Sequence, residues 1–384
     1  MRSKDQIRLE GLYEQVCLNE KFDPAMGKNE PFSPDKLVEY INRVLQRREA
    51  GPKGLKDDKK KSIDYVKHPH LHASILDRVT IKTADGFSVN LQEFKNIVTQ
   101  RPDNILRQND KMKKSRTVDK EYFNTTLPAL RGLVVDEDTG EFKIVNTCPS
   151  AGKCLLGCYA KSGSYTLFPE TTISQNKILN FLFNDSSGYA DQLEKEINQK
   201  VKWFKKRNKE VQIRWNDSGD LLSPKYFDIV MKIINNTPEA EHYLYTKEVA
   251  MVKAYPNPPK NIIFNFSFGA KADQESLIDL QKDKYSRIVD TRKENKINQP
   301  LLNAIISFKY IEKKGKDWVY NNLEATKQAV ASTYNLDPKK ILSVDEINKT
   351  PKGKDGEYHV IVLPGESDVS AARRDVRGTF LMIH

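Results

Sequence analysis

Cysteine is scarce in this chain, with four in 384 residues. That is too few, and too unevenly placed, for a disulfide framework. Acidic residues are outnumbered as well, 52 against 63 lysines and arginines, for a formal net charge of +11 and a sequence pI near 9.1. The imbalance favours polyanionic partners, nucleic acid first among them, although a surface using lysine only for solubility has the same composition. No apolar run approaches the length that spans a bilayer, so no membrane partner is expected. The opening Met1-Arg2-Ser3-Lys4-Asp5 lacks the apolar stretch of a secretory signal. A cytoplasmic, reducing setting follows as an expectation.

What cysteine there is lies almost entirely in one stretch. Cys148-Pro149-Ser150-Ala151-Gly152-Lys153-Cys154-Leu155-Leu156-Gly157-Cys158 holds three of the four. Thiols clustered on a short glycine-containing loop can converge on one point, and converging thiolates ask for a metal or a cluster. Structural zinc wants four protein ligands, so Cys17 or a histidine would have to complete it from a distance. A [4Fe–4S] cluster held by three cysteines keeps one iron open to a ligand. The cysteine count favours that open-site cluster over zinc.

Residues 1–123 read as a basic α+β extension. Pro34 to Leu45 has helical apolar spacing with Ser33 as N-cap. Lys56 to Lys61 is a solvated charge run, and His68-Pro69-His70-Leu71-His72 reads as a turn with exposed histidines. Val79 to Leu91, around the Ala84-Asp85-Gly86 turn, reads as a hairpin. The stretch 100–120, with Arg107, Lys111, Lys113, Lys114, Arg116 and Lys120, is the strongest candidate for a loop facing nucleic acid.

Residues 124–384 alternate strand and helix. Strands are expected at Gly132 to Asp136, from Phe142, at Val211 to Trp215, His242 to Lys247, Asn261 to Gly269, Arg287 to Asp290, Ala304 to Phe308 and His359 to Leu363. Helices are expected at Ile173 to Phe183, Tyr189 to Arg207 and Pro224 to Ile234. This alternation predicts an α/β domain with a parallel sheet, either a partial or full (β/α) barrel or an open doubly wound sheet. The cysteines are expected on the loop leaving one parallel strand, and Asn216-Asp217-Ser218-Gly219-Asp220 at the end of the next. Chemistry gathers at such strand ends. Arg214, Thr246 and Lys247 are expected to face the same mouth, as surface residues or as ligand contacts.

Together the cysteine loop and the Ser218-Gly219-Asp220-Leu221-Leu222 turn resemble the radical S-adenosylmethionine (SAM) enzymes. More closely, Thr126-Leu127-Pro128, Asn146 to Gly152, Cys158 to Tyr165 and Arg214 to Asp220 resemble the phage-encoded gene product eighty-eight family, regarded as radical-SAM-like. The resemblance implies a radical-SAM-type barrel in which Cys148, Cys154 and Cys158 hold a [4Fe–4S] cluster that binds and reductively cleaves SAM. It also implies cofactor contacts from Tyr159, Asp217, Ser218, Gly219, Asp220, Lys247, Asn265 and Ser267. An electron donor such as flavodoxin or ferredoxin and a setting in the host cytoplasm follow from it; the nucleic-acid or nucleotide substrate rests on charge alone. The cysteine spacing here is C-x₅-C-x₃-C where radical SAM enzymes use C-x₃-C-x₂-C, and Asp220 stands where Glu is usual. Two alternatives stay open. One is a non-catalytic nucleic-acid-binding protein with a structural iron–sulfur or zinc site; the other is a redox protein with Cys17 as fourth ligand.

Overall fold

The computed structural model describes residues 96–137, 142–156, 158, 169–290, 305–307, 323–363, 366–367 and 369–383. The expected helix at 34–45, the histidine cluster at 68–72, the hairpin at 79–91 and Cys17 lie outside these residues.

Two sheets form among the described residues. The larger runs β1 (Lys120–Asn124), β4 (Glu210–Trp215), β5 (Ala240–Thr246), β6 (Ile262–Ser267), β7 (Tyr285–Asp290), β11 (Val376–Ile383), β10 (Tyr358–Val362) and β9 (Ile341–Ser343), with β8 (Ile305–Ser307) on β7. Every ladder in it is parallel. The path has two ends, and no ladder joins β1 to β9 among the described residues. Pairing there follows the open arrangement rather than closure into a barrel. The smaller sheet is an antiparallel pair, β2 (Arg131–Val135) and β3 (Phe142–Asn146).

The strand order reverses between β7 and β11, and the helices divide accordingly. Right-handed crossovers place connecting helices on one face while the order advances and on the other once it turns back. Helix α3 (Ser186–Lys205) and helix α4 (Pro224–Asn236) bury Leu193, Ile197, Phe227, Val230 and Met231 against Val211, Ile213, Trp215 and Leu244. Helix α7 (Leu323–Tyr334) sets Val330 against Ile361 and Phe380. On β10 the neighbours Val360 and Val362 instead meet Ile347 of helix α8 (Val344–Lys349). Successive strand residues point to opposite faces, so these contacts place α7 and α8 on opposite sides of the sheet.

Local chemistry sets the helix starts. Ser223 caps α4 by accepting from Tyr226 N, with Pro224 at the first helical position. Asp185 caps α3 by accepting from Gly188 N at 2.7 Å, so the helix starts at Ser186, ahead of the expected Tyr189. Ser343 and Glu346 make a reciprocal capping box on α8.

The strands differ from expectation in three places. No strand is expected at β1, whose first residue Lys120 closes the basic stretch read as a loop, yet Lys120–Asn124 pairs along its whole length with β4. β11 had no expectation at all and lies between β7 and β10. The strand ahead of the cysteines, β3, belongs to the antiparallel pair and not to the parallel sheet, because its partner β2 is close in sequence.

That pair is closed on one side by side chains. Helix α2 (Pro169–Asn184) presents Asn176, Asn180 and Asn184 at helical spacing along β2. Asn176 Oδ1 and Asn180 Oδ1 accept from Leu133 N and Val135 N, each at 2.7 Å. Asn180 Nδ2 and Asn184 Nδ2 donate to Leu133 O and Val135 O. The helix thus satisfies a strand edge that would otherwise be left unpaired.

Beneath α4, Trp215 Nε1 donates to His242 Nδ1 at 3.1 Å, and His242 Nε2 stands 3.1 Å from Thr237 Oγ1. Burial holds the imidazole neutral, its pKa lowered from 6.5 to about 3. In acid the unfolded chain takes up a proton there that the native state refuses, so stability falls as pH drops below 6.5. Between pH 7 and pH 4 the His242 contribution should be roughly 3 kcal/mol. Urea unfolding of wild type and His242→Gln across that window checks it, the variant losing less stability in acid.

Candidate functional site at the carboxyl rim of the parallel sheet

The chain leaving β1 runs beside the end of β4. Thr125 N donates to Arg214 O, Asp217 N to Thr125 O and Leu127 N to Ser218 O, all within 3.0 Å. Gly219 sits at φ +77, and a side chain there would press a Cβ to 2.8 Å from Leu127 Cβ, so this turn requires glycine. After Pro128 the β2–β3 hairpin departs and returns at Thr147, whose Oγ1 donates to Pro128 O at 2.5 Å. Asp220 N then donates to Thr147 O at 2.8 Å. The cysteine loop and the Ser218–Asp220 turn are therefore neighbours, as expected, but through the hairpin and not through adjacent parallel strands.

From there the cysteine loop lies across the rim. Ser150 N and Ser150 Oγ both donate to the Glu248 carboxylate beyond β5, each at 2.8 Å. Gly152 N and Cys154 N both donate to Gly269 O beyond β6 at 3.0 Å, and Lys271 N donates back to Ser150 O. A Cβ at Gly152 would stand 2.1 Å from Ala270 O, so only glycine permits this approach. Leu130 N points at Cys148 Sγ from 3.4 Å.

Asp220 joins two strand ends. Its Oδ1 accepts from Thr246 Oγ1 at 2.6 Å and Leu221 N at 2.8 Å, and its Oδ2 from Lys247 N at 2.9 Å. The carboxylate is thus occupied by protein donors, although each oxygen has lone-pair directions beyond these.

Charges within this rim act on one another. Burial, then the nearby Asp220, push the Cys148 thiol up to about 12 against the Leu130 N–H and Lys247. Burial also raises the Cys154 thiol. Burial would lower the Lys247 ammonium, but Cys154, Asp220, Cys148 and Cys158 together outweigh it and the net direction is upward. One half-buried cation therefore feels all three thiols and one carboxylate. The cysteines are free, and among the described residues no three His, Cys, Asp or Glu side chains stand at metal-ligand geometry.

The other expected residues divide. Ser218 Oγ is buried with no hydrogen-bond partner among the described residues. Asp217 turns away from the cysteines, its Oδ2 accepting from Asn109 Nδ2 and Asn124 Nδ2 at 2.8 Å. Arg214 is buried and lies 5.1 Å from the centre of the Tyr245 ring. Asn265 and Ser267 lie on the sheet face opposite α3 and α4. Asn265 Nδ2 donates to Ala371 O in the short helix Val369–Ala372, and its Oδ1 is buried without a partner among the described residues. Tyr159 lies outside the described residues.

Glu248 escaped sequence reasoning. Burial first, then the nearby Asp220, raise its carboxyl to about 8, against the two Ser150 bonds. The available signal was its position one residue past Thr246-Lys247, at a strand end.

These features define a mixed α/β protein carrying a three-cysteine loop over the carboxyl ends of a parallel sheet. The family described as Gene product 88 matches residues 104–333, and the chain belongs to that family. No curated protein and no solved structure matches it. Among the described residues no helix is long and apolar enough to cross a membrane.

Replacing Glu248 by Ala leaves Ser150 N and Oγ buried without their acceptor. The expected cost is about 1–3 kcal/mol of unfolding free energy, read by urea denaturation. Glu248→Gln, which keeps one acceptor oxygen, should recover part of it.

Proposed function

We propose that this chain is a radical-SAM-type iron–sulfur enzyme acting on a nucleic acid or nucleotide. Cys148, Cys154 and Cys158 would hold an open-site [4Fe–4S] cluster, and the Ser218–Asp220 turn with Lys247, Asn265 and Ser267 would receive SAM. The observation that carries this reading is the three-cysteine loop pinned beside the Ser218–Asp220 turn, through Asp220 N on Thr147 O and through Gly152 N and Cys154 N on Gly269 O. Thiolate sulfur is the donor such clusters take, and a backbone N–H directed at a ligand sulfur tunes the potential. The buried, unpartnered Ser218 Oγ and Asn265 Oδ1 are polar groups that a bound ligand would satisfy. When bound, the cluster supplies the electron that cleaves SAM, delivered by a donor such as flavodoxin or ferredoxin.

In this reading the chain's own residues bind and orient. Lys247 would offset the negative charge of the thiolates and meet a carboxylate of the cofactor. Ser218 offers a hydroxyl to the amino acid portion of the cofactor. Glu248 and Gly269 keep the cysteine loop seated and limit water around it. A partial (β/α) barrel of radical SAM type belongs to the same proposal, supported by the sequential parallel run β1-β4-β5-β6-β7 with α3 and α4 on one face. The polyanionic substrate is supported by the net charge of +11, and a place in the host cytoplasm goes with it.

Anaerobic purification should yield iron and sulfide in near-equal amounts, with Cys148→Ala, Cys154→Ala and Cys158→Ala each losing the cluster absorption. Reduced protein given SAM should release 5′-deoxyadenosine. Ser218→Ala should keep the cluster and lower that yield by roughly fivefold, the worth of one hydrogen bond. Zinc in place of iron, or a loaded cluster that leaves SAM intact, would overturn the reading.

A further inference from the structure

Helix α3 runs out into a strongly basic stretch. Lys200, Lys202, Lys205, Lys206, Arg207 and Lys209 follow one another with no acidic residue between them. Among them stands Trp203, 56 % exposed and, with Val118 at 93 %, one of the two exposed large hydrophobic residues described. An indole left in water on a helix is unusual, since the same position serves a polar residue better.

The surroundings hold this ring in place. The Arg207 guanidinium lies 3.8 Å from the indole centre, and its Nη1 donates to Trp203 O at 2.9 Å. Asn208 takes a left-handed φ of +55 and turns the chain out of the helix. Lys209 Nζ donates to Thr117 O at 3.2 Å, which brings the Val118 loop against the basic stretch. Lys205 pairs with Glu239, whereas Lys202 and Lys206 extend into solvent. The result is a braced aromatic ring surrounded by cations.

We propose that this surface binds single-stranded nucleic acid, one base stacking on Trp203 while Lys202, Lys206 and Arg207 meet the flanking phosphates. Stacking on an aromatic ring within a cationic track is the usual way proteins hold single strands without reading their sequence. A duplex keeps its bases stacked within itself and cannot offer one to the indole. The location also discriminates among acidic partners. β4 starts at Glu210 beside the patch and ends at Trp215 beside the Asp217–Asp220 turn, and its 6 residues span roughly 20 Å. An electron donor would need the cysteine end of the sheet. A flexible polymer held at the opposite end can still reach around it.

Full-length protein titrated with fluorescein-labelled oligothymidylate tests this without iron or SAM, so its failure leaves the reading of the cysteine loop intact. Wild type should bind with an affinity that falls steeply with salt. Trp203→Ala should weaken binding about tenfold, with Trp203→Phe retaining most of it. The pair Lys202→Glu and Lys206→Glu should weaken it at least about tenfold and make the log–log salt slope shallower by about 2. Heparin, a polyanion without bases, should respond to the lysine changes and not to Trp203→Ala. Exposed positions should leave the thermal melt unchanged. The proposal is overturned by absent binding, by indifference to Trp203→Ala, or by an equal loss for heparin and oligothymidylate.

Discussion

One carbonyl does much to determine where the cysteines lie. Gly269 O, just past β6, accepts from both Gly152 N and Cys154 N, and without it two backbone donors of a loop pressed against protein would go unmet. The loop has no strand of its own in the parallel sheet, so its position is set by bonds to residues that do. Ser150 on Glu248 and Asp220 N on Thr147 O are two further attachments. Each ties a different strand end, β5, β6 or β4, to the same short loop. The glycines at 152 and 219 are part of this constraint, because the close approaches they make leave no room for a Cβ.

The hairpin that carries the loop needs its own support. Among the described residues β2 and β3 pair only with each other, and a two-stranded ribbon alone is marginal in water. Asn176, Asn180 and Asn184 supply side-chain amides where a third strand would supply backbone. An amide side chain offers both donor and acceptor, which is what a strand edge requires. The hairpin is thereby tied to α2, and its far end delivers Thr147 and Cys148 to a fixed place on the rim.

The sheet is also electrically divided along its strands. Its carboxyl end gathers three thiols and Asp220 near Lys247, with Glu248 close to Asp220 and Lys271. Its amino end, next to Glu210, carries the lysines and Trp203 of helix α3. Parallel strands make such a division possible, since all of them start on one side and finish on the other. A ligand drawn to one end is chemically unlike a ligand drawn to the other.

Much of the central fold could be read directly. Val211 to Trp215, His242 to Lys247 and Asn261 to Gly269 have the composition of buried parallel strands, and α4 has apolar residues at helical spacing after a Ser-Pro start. β1 was harder, because Lys120-Glu121 begins it and the preceding basic residues mask it as a loop; its strand character comes from pairing with the distant β4. Residues Val376 to Ile383 were hidden in the same way, with Arg377, Gly378 and Thr379 interrupting the apolar pattern. The order of the strands could not be read at all. Nothing local distinguishes a chain that keeps advancing from one that doubles back after β8.

By itself the amino-acid order determined which residues are candidates for chemistry: three thiols on one short loop, a small-residue turn ending in Asp220, and a strand ending in Thr246-Lys247. Spacing and side-chain type decide that, and both are properties of the chain. Only the tertiary structure decided that these segments share a rim, that a hairpin and not a parallel strand brings the cysteines there, and that Glu248 seats them. Those outcomes depend on hydrogen bonds between residues about a hundred positions apart, such as Ser150 with Glu248, and no local pattern encodes such a pairing.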